Sequence, residues 1–268
     1  MRRGKLLFGA LLVLLSACGG GDAPTGPAPD PPSDDPDRDG DGILNSVDAC
    51  PDAAEVFNNL LDEDGCPDDT LEYYDAVRID AESFWSEIFS LVGARYQGIS
   101  VFAAYETSAD TPCGEVGPVD ALYCPLDEGV YYHLGFLDEA LLELGDAAPA
   151  MVVAHEVAHH AQNLDGVLDL LDLGLVTRKQ VELQADCYTG AWGAWVVLRG
   201  LLEQARVEEA LEILLALGEE SLAGPWFDPA VHGTSLERNE AFDRGLLGGL
   251  GACVDPFFFP AAVESGPR

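Results

Sequence analysis

Two histidines and a glutamate stand at a spacing that suits metal chemistry. His155, Glu156 and His159 lie in the run Ala154-His155-Glu156-Val157-Ala158-His159. On a helix, four residues turn the chain by about 400° and raise it by about 6 Å, which stacks His155 and His159 on one face. Two neutral imidazoles placed so can share one tetrahedral zinc. Glu156 then lies beside them, where it can take a proton from a water that the metal activates. The five-residue pattern is only moderately specific, because ordinary hydrogen-bonded histidines on a buried helix produce the same letters.

A second stretch supplies matching parts. Glu182 and Asp186, in Glu182-Leu183-Gln184-Ala185-Asp186, are again four apart and share a helix face. Glu182 completes a His-His-Glu zinc set that leaves a fourth position for water. Asp186 is placed to accept the spare ring N–H of a ligand histidine and so fix its tautomer. Gly190, Ala191, Gly193 and Ala194 follow, small residues that allow another helix to come close.

The elements that must hold these residues are readable around them. Asp146 is the expected N-cap of the first helix, Pro149 is tolerated in its first turn, and Asp165-Gly166 is its stop. The second helix opens on the capping box Thr177-Arg178-Lys179-Gln180 and runs to about Arg199, before Gly200. Leu71 to Leu91 reads as a helix with Tyr74, Phe84, Ile88 and Leu91 as core contacts. Ile99 to Tyr105 and Val130 to Leu134 read as strands, and an exposed edge of such a sheet would let an extended substrate add as a strand. Leu202 to Leu217 has helical apolar spacing, and Thr234-x-x-Glu237 is a further capping box.

His155-Glu156-Val157-Ala158-His159-His160-Ala161-Gln162, then Glu182-Leu183-Gln184-Ala185-Asp186-Cys187, then His232-Gly233-Thr234-Ser235 with Arg238, resemble the bacterial neutral zinc metallopeptidase family. Thr111-Pro112-Cys113-Gly114, Gly117-Pro118, Tyr123-Cys124-Pro125-Leu126-Asp127 and the spacing of Trp85, Phe89 and Tyr96 resemble it too. The likeness spans about residues 71 to 260. It implies a gluzincin-type enzyme, with a glutamate as third ligand: an α+β, mostly helical, zincin-like domain with a small sheet over residues 70–268, a Zn2+ cofactor, and a peptide or protein substrate. Two positions depart from the family's pattern: His133 replaces a usual acidic residue, and no proline follows Tyr96 closely. Neither touches the zinc set. His232, outside that set and just before the last helix, reads either as a donor to the oxyanion or as a cap or packing residue. Arg238 either braces a carboxylate or touches substrate. His160, one residue past a ligand, points elsewhere.

The start of the chain is organised differently. Arg2, Arg3 and Lys5 precede an apolar run from Leu6 to Leu15, too short to span a bilayer as a stable helix. Residues 1–18 therefore read as an export signal. Its end, Leu15-Ser16-Ala17-Cys18, resembles a bacterial lipobox, which implies acylation of Cys18 and a lipid anchor at the cell envelope; an ordinary cleaved signal peptide is the alternative. Residues 19–35 hold Gly, Pro, Ser and Asp and read as a flexible tether.

In residues 36–69, Asp37, Asp39, Asp41, Gly42, Asn45 and Asp48 fall at positions 1, 3, 5, 6, 9 and 12 of an EF-hand-like loop, whose oxygens wrap a hard cation. With Asp48-Ala49-Cys50-Pro51 and Asp62-Glu63-Asp64-Gly65-Cys66-Pro67 they resemble a thrombospondin type 3 repeat, which implies Ca2+ binding; a solvated acidic linker is the competing reading.

The net charge is −35, and falls near −38 once Arg2, Arg3 and Lys5 are removed (−35 less three cations). Such a chain is repelled by nucleic acid and by anionic membrane surfaces. Setting Cys18 aside for lipid leaves six cysteines, which allow fifteen sets of three disulfides. The repeat resemblance favours Cys50 with Cys66 and locality favours Cys113 with Cys124. Cys187 with Cys253 would then be the third pair; a cysteine zinc site would need C-x-x-C spacing that is absent. Two other function classes fit the letters: a non-cleaving, metal-stabilised envelope or adhesion protein, and a zinc hydrolase of non-peptide amides or esters.

Overall fold

Helix α1 (Thr70–Leu91) starts where the Asp69 carboxylate accepts the Leu71 N–H at 2.8 Å. The structure is a computed structural model and describes residues 36–57, 60, 62–117, 121–207 and 232–254. Among these, α1 is followed by β1 (Val101–Tyr105), β2 (Ala109–Thr111), β3 (Gly114–Val116), β4 (Ala121–Cys124) and β5 (Gly129–His133). The helices α2 (Leu134–Leu144), α3 (Ala147–Leu164), α4 (Val167–Asp172), α5 (Arg178–Leu198) and α6 (Ser235–Gly248) come next, then a 3-10 turn over Leu250–Val254. The architecture is α+β, mostly helical with a small sheet.

The sheet has the order β1-β5-β4, with β1 parallel to β5 and β4 antiparallel to it. A parallel pair needs a long connection, and here the separate β2–β3 hairpin and β4 lie within it. Helix α3 is the hub, packing on α1, α2, α5 and β4. Its buried face (Val153, Val157 and Ala161 among others) meets Phe84 and Trp85 of α1 and Leu183 and Tyr188 of α5 in one core. The Trp85 and Tyr188 rings stand edge to face with centroids 4.8 Å apart.

Helices α5 and α6 approach until their backbones touch. A Cβ on Gly190 would lie 2.1 Å from the Phe242 carbonyl oxygen, and one on Gly245 would lie 1.8 Å from that of Cys187. Beside this crossing Cys187 is bonded to Cys253, which holds the 3-10 turn to α5. The other disulfides join Cys50 to Cys66 and Cys113 to Cys124.

Several elements differ from expectation. Leu91, expected in the core, is 76% exposed: it is the last residue of α1, and the chain turns away at Val92-Gly93. Asp146 occupies the N-cap of α3 but has helical dihedrals and makes no side-chain cap bond. Its carboxylate pairs instead with Arg206 at 2.8 Å, and its carbonyl accepts the Tyr73 hydroxyl at 2.6 Å. Helix α2 carried no sequence expectation. His133 caps it, accepting the Phe136 N–H on Nδ1 at 3.0 Å while Nε2–H donates to the Glu106 carbonyl at 2.8 Å. An imidazole thus does there what an acidic N-cap does. Cys18, the tether and most of the expected Leu202–Leu217 helix lie outside the described residues.

Candidate metal centre

Helix α3 presents His155 and His159 on one face, with ring centroids 4.7 Å apart. Helix α5 brings Glu182 against them. The Nε2 atoms of His155 and His159 each lie 3.4 Å from Glu182 Oε2. Donors bound at about 2.1 Å to one tetrahedral ion are separated by about 3.4 Å, so both histidine–glutamate separations suit a shared zinc, as do the donor types. One donor atom from each lies within 4.8 Å of the others.

The groups of this cluster favour one another's charged forms. Burial opposes protonation of His155, but hydrogen bonds to Asp186 and Glu182 outweigh it and push the imidazole up to about 10. His159 is raised as well, burial being overcome by Glu182. Burial also opposes ionisation of Glu182, yet His159, His155 and His232 hold its carboxyl well below the usual carboxylate range. A metal ion would compete with protons for the same nitrogens.

Asp186 and Arg238 lie behind His155. The ring Nδ1 is 3.0 Å from Asp186 Oδ1, which leaves Nε2 as the atom facing Glu182. Arg238 Nε and Nη2 donate to the two Asp186 oxygens at 2.9 and 2.8 Å. Of the two sequence readings of Arg238, the carboxylate brace is the one that these contacts describe.

Glu156 is buried beside the cluster, and its charge acts on His155, His159 and Arg238. His232, at the entry to α6, places Nδ1 3.5 Å from Glu182 Oε2 without joining the three-residue group. The Thr234 hydroxyl, not His232, caps α6. His160 faces away, into the core. Its Nε2–H donates to the Gln97 carbonyl at 2.7 Å, while Nδ1 accepts the Tyr123 hydroxyl at 2.9 Å. Burial lowers its pKa, so it serves as a neutral tie between α3 and β4.

The family profile described as "Putative neutral zinc metallopeptidase" matches residues 51–257. The chain belongs to that family. Among its relatives, the uncharacterized protein YpfJ of Escherichia coli (strain K12) is 34% identical over 211 residues, covering 71% of this chain and 72% of its own. The uncharacterized protein Mb2605 of Mycobacterium bovis is 30% identical over 176 residues, covering 55% of this chain and 58% of its own, and Rv2575 of Mycobacterium tuberculosis matches to the same extent. No solved structure matches the chain. Membership of a zinc metallopeptidase family and the His155, His159 and Glu182 cluster point to the same cofactor.

Sequence reasoning gave no role to Gln162 or Gln184. Both are buried, and Gln162 Oε1 lies 2.8 Å from His159 Nδ1. The signal was present: Gln162 is one helical turn beyond His159, on the same face of the helix.

The acidic loop is partly assembled. Asp37, Asp39 and Asp41 come together in one group. The Asp37 carboxylate accepts the N–H groups of Gly40 and Gly42 at 2.9 and 3.0 Å, a turn that both glycines enter with positive φ. Asn45 Oδ1 accepts the Arg38 N–H at 3.2 Å. Asp48, expected as the last ligand, stands outside that group. Its Oδ1 accepts the Cys50 N–H at 2.7 Å and lies where a Gly65 Cβ would come within 2.3 Å, while its Oδ2 is buried without a hydrogen-bond partner.

Proposed function

We propose that the chain is a zinc-dependent peptidase with a zincin-like active site, in which His155, His159 and Glu182 hold the metal. The observation that carries this reading is the pair of 3.4 Å separations between the two Nε2 atoms and Glu182 Oε2. When bound, zinc supplies a Lewis acid that brings the pKa of an attacking water to about 7. Glu156 accepts the proton of that water as its oxygen attacks the substrate carbonyl carbon. It returns the proton to the amide nitrogen as the C–N bond breaks, which releases a carboxylic acid and an amine. His232, on the rim of the cluster, donates to the carbonyl oxygen as negative charge builds there. Asp186 keeps the His155 proton on Nδ1.

The remainder of the chain tethers this unit to the bacterial envelope through lipid on Cys18. The loop of Asp37, Asp39 and Asp41 takes Ca2+; both oxygens of Asp39 are buried without a hydrogen-bond partner, which supports a cation there. Incorporation of labelled fatty acid that disappears in Cys18→Ser tests the anchor, and a rise in melting temperature with Ca2+ that Asp39→Asn abolishes tests the loop.

The deciding experiment incubates the purified full chain and its Glu156→Gln variant, both with zinc, with a mixed peptide library. Cleavage by the parent, reduced about 10²–10⁴-fold in the variant, is expected. Equal cleavage by both would remove Glu156 from the mechanism, and none by a zinc-loaded parent would overturn the peptidase reading.

A further inference from the structure

Two buried glutamines connect His159 to the C-terminal disulfide. Gln162 and Gln184 are 0% and 1% exposed. His159 Nδ1 and Gln162 Oε1 are 2.8 Å apart. Gln162 Nε2 donates to the Val181 carbonyl at 2.8 Å and to Gln184 Oε1 at 2.9 Å. Gln184 Nε2 donates to the Cys253 carbonyl at 3.1 Å, and Cys253 is bonded to Cys187, one turn along α5 from Gln184.

The direction of every bond in this series is forced from its far end. A backbone carbonyl only accepts, so Cys253 requires an N–H from Gln184 and turns the Gln184 oxygen towards Gln162. Val181 requires an N–H as well. Gln162 must therefore point its NH2 group at both acceptors and its oxygen at His159. That oxygen takes a ring N–H, so the neutral His159 ring keeps its proton on Nδ1 and its lone pair on Nε2, the atom 3.4 Å from Glu182. Reversing either amide would set like groups against each other in a dry core, where an unmade hydrogen bond is most costly.

We propose that Gln162 and Gln184 are positioning residues: a relay of two amides, anchored on the Cys253 carbonyl, that holds His159 in the tautomer and ring orientation a metal requires. Asp186 does the same for His155 with a charge. The relay does it with neutral groups, and so adds no further negative charge beside Glu156, Glu182 and Asp186. Its anchor belongs to a disulfide-bonded residue, which makes the Cys187–Cys253 bridge part of the support of the metal centre.

This inference rests on the zinc reading, and the test separates the two. Gln162→Met and Gln184→Met keep most of the side-chain volume and remove the hydrogen bonds. Zinc affinity of the full chain is measured by competition with a chelator, ligand geometry by the visible spectrum of the cobalt(II)-substituted protein, and folding by thermal unfolding. Tyr123→Phe, which breaks the His160 tie on the opposite side of α3, serves as a control for general loosening. At a temperature where all variants are folded, Gln162→Met is expected to bind zinc about 10–100-fold more weakly with a shifted cobalt spectrum. Gln184→Met is expected to move both in the same direction by less, and Tyr123→Phe to lower the melting temperature alone. Parental zinc affinity and cobalt spectrum in Gln162→Met, or an equal loss in Tyr123→Phe, would overturn the relay while leaving zinc binding in place. A parent that binds no zinc, or a His155→Ala variant that binds it as the parent does, would overturn the zinc reading and the relay with it.

Discussion

Arg238 grips Asp186 with two parallel hydrogen bonds, Nε to Oδ2 at 2.9 Å and Nη2 to Oδ1 at 2.8 Å, while Oδ1 also lies 3.0 Å from His155 Nδ1. The planar guanidinium fits the carboxylate edge to edge, and the imidazole takes what remains of the inner oxygen. One carboxylate on α5 thereby joins α6 to His155 on α3.

Replacing Asp186 by Asn keeps the shape and removes the charge. Arg238 is then left without its counter-ion at a site where the two side chains are 19% and 5% exposed. Breaking such a buried pair costs about 3–5 kcal/mol. Loss of the His155 brace is expected to weaken zinc about 10–100-fold as well. Urea unfolding of the metal-free variant reads the first effect and chelator competition the second. Unchanged values in both would show that the contact is incidental.

The pH dependence of the metal-free protein follows from the same groups. Asp186 and Glu182 have folded pKa values below their unfolded ones, the pull of Arg238 and of the histidines outweighing burial. Their contribution is present above the unfolded carboxylate pKa of about 4, and is lost as pH falls through the lower folded values. His155 is raised from 6.5 to about 10, so its contribution is full below 6.5 and disappears as pH rises through about 10. Urea midpoints measured against pH should peak between these limits, with the acid limb flattened in Asp186→Asn. A midpoint that is flat from pH 3 to pH 10 would contradict the charge arrangement.

Glu182 is the carboxylate that three imidazoles face. Glu182→Ala should leave the helices intact by circular dichroism, yet retain almost no zinc after dialysis, because two neutral histidines alone hold the ion weakly. One full equivalent of zinc in this variant would mean that another group is the third ligand.

The metal cluster was legible because helical spacing is local. His155 with His159, and Glu182 with Asp186, each follow from four residues of one helix, and the two capping boxes at Thr177 and Thr234 reappear bond for bond. What stayed hidden depends on which elements meet. Gln162 and Gln184 are ordinary polar letters until α3, α5 and the 3-10 turn enclose them. Leu91 fits the apolar period of α1 but lies past the end of the core. The strands β2, β3 and β4 were missed because three- and four-residue runs carry too little alternation to stand out.

The small residues of α5 foretold a close helix contact without naming the partner, and α6 meets them with a glycine of its own. A Cβ at Gly245 would stand 1.8 Å from the Cys187 carbonyl oxygen and 2.8 Å from the Ala191 nitrogen, all of it backbone that no rotamer change can move. Gly245→Ala must therefore push α6 away from α5. Because Arg238 rides on α6, the shift is also transmitted to Asp186 and His155. The loss of stability should exceed the 1–3 kcal/mol typical of an overpacked side chain, and zinc affinity should fall with it. Gly251→Ala is the matched control, since a Cβ there meets nothing within 4 Å. Thermal unfolding and zinc competition on the two variants decide the matter: equal behaviour would mean that the helices can part without disturbing the metal centre.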